Sequence, residues 1–145
     1  MYFLNSVLTI NCLTWIYGRS SDTLNEKILV VDDEKDTIFL VRSILEPEGF
    51  EVFGAGGGAE CLKMLGSVKP DAILLDIMMP DMDGWETFHK IRADDLDVPI
   101  CIISARSQNF DRMLGLNVLN ATDYVNKPFD TEDLIGRVKA IFGMS

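Results

Sequence analysis

The residues best suited to chemistry in this chain stand at the ends of short apolar segments. Asp32 and Asp33 follow residues 28–31, and Asp76 follows residues 72–75. Ser104 and Ala105 follow residues 100–103, and Lys127 and Pro128 come just after residues 123–125. If these segments are neighbouring strands, three carboxylates, a hydroxyl and an ammonium converge on one rim. Carboxylates held close repel one another and keep their protons more tightly unless a cation stands between them. A hard divalent ion with oxygen ligands, Mg²⁺ or Mn²⁺, removes that conflict and keeps coordination positions for water and phosphate oxygens. An aspartate carboxylate can also act as a nucleophile and form an aspartyl phosphate. The ion and the Lys127 ammonium would then offset charge on the transferring phosphoryl oxygens. Ser104 could donate a hydrogen bond to one of those oxygens, and Ala105 is small enough to leave room. Taken singly, an Asp after a strand is usually a turn or cap residue, and a Lys before a proline is usually solvated. The joint placement at four strand ends carries the weight.

Positioning such a set requires a particular scaffold. The runs at 28–31, 72–75 and 100–103 are apolar throughout, the pattern of parallel strands covered by helices on both faces. Residues 51–53 and 123–125 read as two further short strands. Between them lie helical patterns. Ile38, Val41, Ile44 and Leu45 form one apolar stripe that stops near Pro47 and Gly49. Trp85, Phe88 and Ile91 mark a second helix, and residues 108–119 a further one weakened by Gly115 and Asn117. Leu134, Ile135, Val138, Ile141 and Phe142 form the last stripe, with Asp130 or Thr131 as its cap. Strand and helix alternate five times, which predicts an α/β fold with one central parallel sheet. In such sheets the functional site lies beyond the carboxyl ends of the strands, where the chemical residues stand.

The chain's 145 residues suit one domain with an ordinary core. Its net charge of -10, from 23 acidic and 13 basic residues, argues against direct nucleic-acid binding, which needs cations against phosphates. Cys12, Cys61 and Cys101 form no CxxC and no zinc spacing, which fits a reducing compartment, and Cys101 reads as a small core residue. Residues 1–26 differ from the rest: no charged side chain occurs before Arg19, and polar residues interrupt the apolar ones. A secretory signal would start with basic residues. The segment is read as an N-terminal extension of uncertain nature: a peripheral or non-native start, an element packed on a surface, or, least favoured, a membrane anchor. Residues 27–145 form the domain.

At this point the sequence resembles the receiver domain of two-component response regulators. The resemblance rests on residues 27–34, 71–84, 99–105 and 123–129 and extends over residues 27–142. It implies a flavodoxin-like, doubly wound (βα)5 fold of three layers with a five-stranded parallel sheet. It implies Asp76 as phosphoacceptor, and Mg²⁺ or Mn²⁺ held by Asp32, Asp33, Asp76 and the backbone carbonyl of Met78. Lys127 would contact the phosphoryl group. Ser104 and Tyr124 would form a switch pair, and the Lys127–Pro128 bond would be cis. The resemblance further implies a cytoplasmic signalling domain rather than an enzyme, one that assists its own phosphorylation and dephosphorylation. Its donor would be a sensor histidine kinase or a phosphotransfer protein. Its output would be an unidentified protein target, with homodimerisation on phosphorylation as an option and no membrane role. On the resemblance, a regulator of the single-domain type, without an effector region, is expected. Departures are residues 120–123, where the family often carries Gly-Ala, and the extension at 1–26. Met78 and Arg106 beside the expected phosphate position are neither carboxylate nor amide, the groups that would orient an attacking water, so self-dephosphorylation that is not especially fast is expected.

Other signals weigh less. Residues 54–59 fit a dinucleotide fingerprint, but after the second strand, and a glycine-rich turn at a helix start explains them as well. His89 beside Lys90 reads as part of a solvated face. A haloacid-dehalogenase type phosphatase would need a second Asp at position 78, where Met stands. A receiver-like scaffold that binds partners without phosphorylation is the alternative function; it would lack site residues, and none is missing.

Overall fold

The computed structural model describes residues 25–78, 84–94, 97–104 and 121–144. Five strands, β1 (Lys27–Val31), β2 (Glu51–Ala55), β3 (Ala72–Asp76), β4 (Ile100–Ser104) and β5 (Asp123–Asn126), form one sheet. Four α-helices are described: α1 (Lys35–Leu45), α2 (Gly58–Val68), α3 (Gly84–Ala93) and α4 (Thr131–Ile141). All strand pairs are parallel, in the order β2-β1-β3-β4-β5. This is the flavodoxin-like α/β order, with its reversal between β1 and β3. Residues 1–24 and the expected helix at 108–119 lie outside the described residues.

Side chains alternate across the sheet and so define two cores. Leu29, Val31, Ile73, Leu75, Ile100, Ile102 and Tyr124 face one way, packed with Cys61 of α2 and with Phe88 and Ile91 of α3. Ile28, Val30, Leu74, Cys101, Ile103 and Val125 face the other, against Val41 and Leu45 of α1 and Leu134 and Val138 of α4. Both faces are therefore covered, which is why β1, β3 and β4 read as continuous apolar runs. Cys101 takes the core place expected of it.

The helix ends follow local chemistry. After α1, a 3₁₀ turn over Glu46–Glu48 uses Pro47, and Gly49 adopts the left-handed conformation (φ 99°) that returns the chain to β2. Asp130 caps α4 by accepting a hydrogen bond from the Asp133 amide at 3.2 Å. The glycine-rich stretch is a turn at a helix start: the Gly56 amide donates to Glu60 Oε1 at 2.7 Å, and Gly57 precedes the first residue of α2. His89 is exposed, as expected of a solvated face.

Candidate functional site

The reversal of strand order opens a crevice between the carboxyl ends of β1 and β3, and Asp32 and Asp76 emerge there. Both carboxylates are held in the same way. Asp32 Oδ1 accepts a hydrogen bond from the Glu34 amide at 2.9 Å, and Asp76 Oδ1 accepts one from the Met78 amide at 2.9 Å. Each side chain thus folds onto the backbone two residues on, a local turn open to Asp by virtue of its short arm. Asp32 also continues the ladder past the end of β1, its amide donating to the Ala55 carbonyl at 3.0 Å.

Lys127 arrives from just past the end of β5, the edge strand. Its amide donates to the Ser104 carbonyl at 2.7 Å, which ties the end of β5 to β4. The Lys127–Pro128 bond is cis, as the family resemblance implied. The ammonium lies 2.6 Å from Asp32 Oδ2, 3.2 Å from Asp76 Oδ2 and 3.7 Å from Glu34 Oε1. Asp32 is fully buried and Asp76 nearly so, whereas Asp33 is exposed. One oxygen from each of Asp32, Asp33 and Asp76 lies within 4.8 Å of the others. Three hard carboxylate donors at this spacing suit a divalent ion such as Mg²⁺, which takes few protein carboxylates and fills its shell with water and phosphate oxygens.

Ser104 ends β4, fully buried, and Tyr124 is buried within β5. Ile102 pairs with Tyr124 in the β4–β5 register, so Ser104, two residues further on, shares the tyrosine's face of the sheet. Met78 is half exposed beside Asp76. Ala105 and Arg106 lie outside the described residues. Sequence reasoning assigned no role to Glu34. Its position directly after two aspartates was visible, but only the fold shows its carboxylate turned toward an ammonium just past β5. It likewise missed Arg137 of α4, which holds Asp123 at 2.8 Å and Asp133 at 3.0 Å.

The electrostatics follow from burial. Desolvation pushes the Asp76 carboxyl above its ordinary value; the Met78 amide opposes this, the Asp32 charge reinforces it, and Lys127 opposes it. Burial pulls the Lys127 ammonium down, but the hydrogen bond to Asp32 and the charges of Asp76 and Asp32 outweigh it and leave the group raised. Asp76 therefore holds its proton more tightly folded than unfolded. Without metal, its ionisation costs stability as pH rises from the ordinary carboxylate value through the raised one. Urea midpoints of the protein in EDTA, taken between about pH 4 and pH 8, should show this downward contribution, and Asp76→Asn should flatten it. An unchanged slope in Asp76→Asn would refute the assignment.

Comparison with known proteins agrees with this geometry. Residues 28–139 match the response regulator receiver domain model. The chain is 43% identical over 122 residues to the alkaline phosphatase synthesis transcriptional regulatory protein PhoP of Bacillus subtilis, covering 84% of this chain and 50% of that protein. It is 46% identical over 115 residues to the transcriptional regulatory protein PrrA of Mycobacterium tuberculosis, covering 79% and 49% respectively. The chain thus spans about half the length of the curated relatives it matches. Among solved structures, the Francisella response regulator 1452 receiver domain superposes with a TM-score of 0.76 at 31% identity, covering 81% of this chain and 97% of that one. The BeF3-activated N-terminal receiver domain of Klebsiella pneumoniae RstA superposes with a TM-score of 0.76 at 25% identity, covering 82% and 100%. Among the described residues no helix is long and apolar enough to cross a membrane. With its sheet order, its strand-end carboxylates and the match across residues 28–139, the chain belongs to the response regulator receiver domain family of two-component systems.

Proposed function

We propose that Asp76 accepts a phosphoryl group and that its arrival switches the domain's conformation. The observation that carries this is the Lys127 ammonium set between two buried carboxylates, Asp32 and Asp76, at the point where the strand order reverses. A carboxylate oxygen of Asp76 attacks phosphorus, and the bond from phosphorus to the donor's imidazole nitrogen breaks. The donor is a phosphohistidine on a sensor histidine kinase or a phosphotransfer protein. Asp32, Asp33, Asp76 and the Met78 carbonyl would hold a divalent ion, Mg²⁺ or Mn²⁺. That ion, when bound, neutralises charge on the transferring oxygens. Lys127, already 3.2 Å from Asp76 Oδ2, moves its contact onto the phosphoryl oxygens. Ser104 donates a hydrogen bond to one of them, and Tyr124 on the same face responds by changing rotamer. The phosphate thereby shifts a two-state equilibrium of the sheet edge. The output is control of a protein partner in the cytoplasm, with homodimerisation as one route. PhoP and PrrA are named as transcriptional regulators, and this chain would act in that class of pathway.

The test is incubation with Mg²⁺ and acetyl phosphate, read by intact mass. One phosphoryl group should appear, require Mg²⁺ and be lost in EDTA and in Asp76→Asn. No incorporation from acetyl phosphate or from a phosphorylated histidine kinase, with the fold intact, would leave a scaffold that binds without phosphorylation.

A further inference from the structure

Glu34 occupies the residue before the first turn of α1, with extended backbone (φ -96°, ψ 114°), yet its side chain makes no capping hydrogen bond to that helix's backbone. Asp, Asn, Ser or Thr would cap better there. Its Oε1 instead lies 3.7 Å from the Lys127 ammonium and accepts from Thr37 Oγ1 at 3.4 Å. The side chain is 67% exposed, against 0% for Asp32 and 4% for Asp76, so among the described carboxylates on Lys127 it alone faces outward. We propose that Glu34 sets the charge at the mouth of the site: it is a spare counterion for Lys127 that slows entry of anionic phosphodonors. The inference rests on the phosphoryl-transfer function proposed above.

The formal charges give the reason. Among the described residues, Asp32, Asp33, Asp76 and Glu34 face one ammonium and, when it is bound, one divalent ion, which leaves a single negative charge over. Without Glu34 the set is neutral. A dianionic donor therefore meets net repulsion, and Lys127 must leave one more carboxylate to reach a phosphoryl oxygen. The same charge favours the cation. Glu34 thus acts with opposite signs on the two ligands, helping the metal and hindering the donor.

Glu34→Gln should weaken Mg²⁺ binding, measured by titration calorimetry without donor, by about two- to fivefold, the scale of one exposed charge pair. At saturating Mg²⁺ it should also quicken acetyl phosphate incorporation by about two- to fivefold at low salt, and that gain should shrink at high salt. Glu34→Asp, which keeps the charge one methylene shorter, should stay near the parent on both measures. A merely structural role would weaken metal binding and incorporation together. If the parent incorporates phosphate and Glu34→Gln is no faster, or its gain ignores salt, this inference is overturned while the phosphoacceptor function stands. If the parent incorporates none from any donor, both fall.

Discussion

Replacing Lys127 with Met is expected to destabilise the metal-free protein by about 3 kcal/mol, the lower part of the range for stripping a partner from buried charge. Asp32 and Asp76 are almost fully buried, and the Lys127 ammonium touches both. Remove it and two carboxylates are left facing each other without compensation. The loss is capped because Asp76, already pushed upward by burial, can take up a proton instead. A divalent ion should restore part of the loss, since a ligand bound only by the folded state adds about 2.7 kcal/mol at a hundred times its dissociation constant. Urea unfolding in EDTA and in excess Mg²⁺ measures both effects. A change under about 1 kcal/mol in EDTA, the size of an exposed pair, would mean that Lys127 does not compensate buried charge. Under the proposed function the same variant loses most of its phosphoryl incorporation even where Mg²⁺ has restored the fold.

Gly84→Ala should be the most damaging change of a residue with no reactive group. A Cβ at Gly84 would overlap the backbone of Ile77 and the carbonyl oxygen of Asp76, and neither can move without moving the site. Glycine is needed here for space. Its amide also donates to the Ile77 carbonyl at 3.2 Å. The expected cost is about 3 kcal/mol or more, the upper end for overpacking, because backbone rather than a flexible side chain must give way. Gly66→Ala is the control. Gly66 lies within α2 with nothing near its would-be Cβ, so the change should stabilise by about 0.5–1 kcal/mol through helix propensity. Opposite signs for one substitution at two glycines, read from urea midpoints, test the packing argument. Equal and small effects would show that the backbone of Asp76 and Ile77 yields.

The elements themselves were legible in the amino-acid order. Apolar runs at β1, β3 and β4 announced strands covered on both faces, because burial from two sides removes the alternation that a half-exposed strand would show. β2 and β5 proved longer than their apolar residues suggested, since Gly54, Ala55 and Asn126 pair in the sheet without a hydrophobic signature. The stripe of α1 and its stop at Pro47 and Gly49 were equally local, as was the cap at Asp130. The candidate site was legible too, for a topological reason: parallel strands deliver their last residues to one rim, so the residues just past the apolar runs together make up the rim's chemistry.

Tertiary structure alone decided the rest. The contact between Lys127 and Asp32 spans 95 residues of chain, and nothing periodic in sequence encodes which strands become neighbours. The order β2-β1-β3-β4-β5 set Asp32 beside Asp76, and the β4–β5 register set Ser104 and Tyr124 on one face. Glu34 stood in plain view after two aspartates, but its meeting with Lys127 depended on how α1 leaves the sheet. Gly84 gave no local sign of its constraint, because the atoms that exclude a side chain there belong to Asp76 and Ile77, which only the fold brings close. Sequence determines what each segment buries and which groups it carries to its end; only the folded chain decides which of those groups meet.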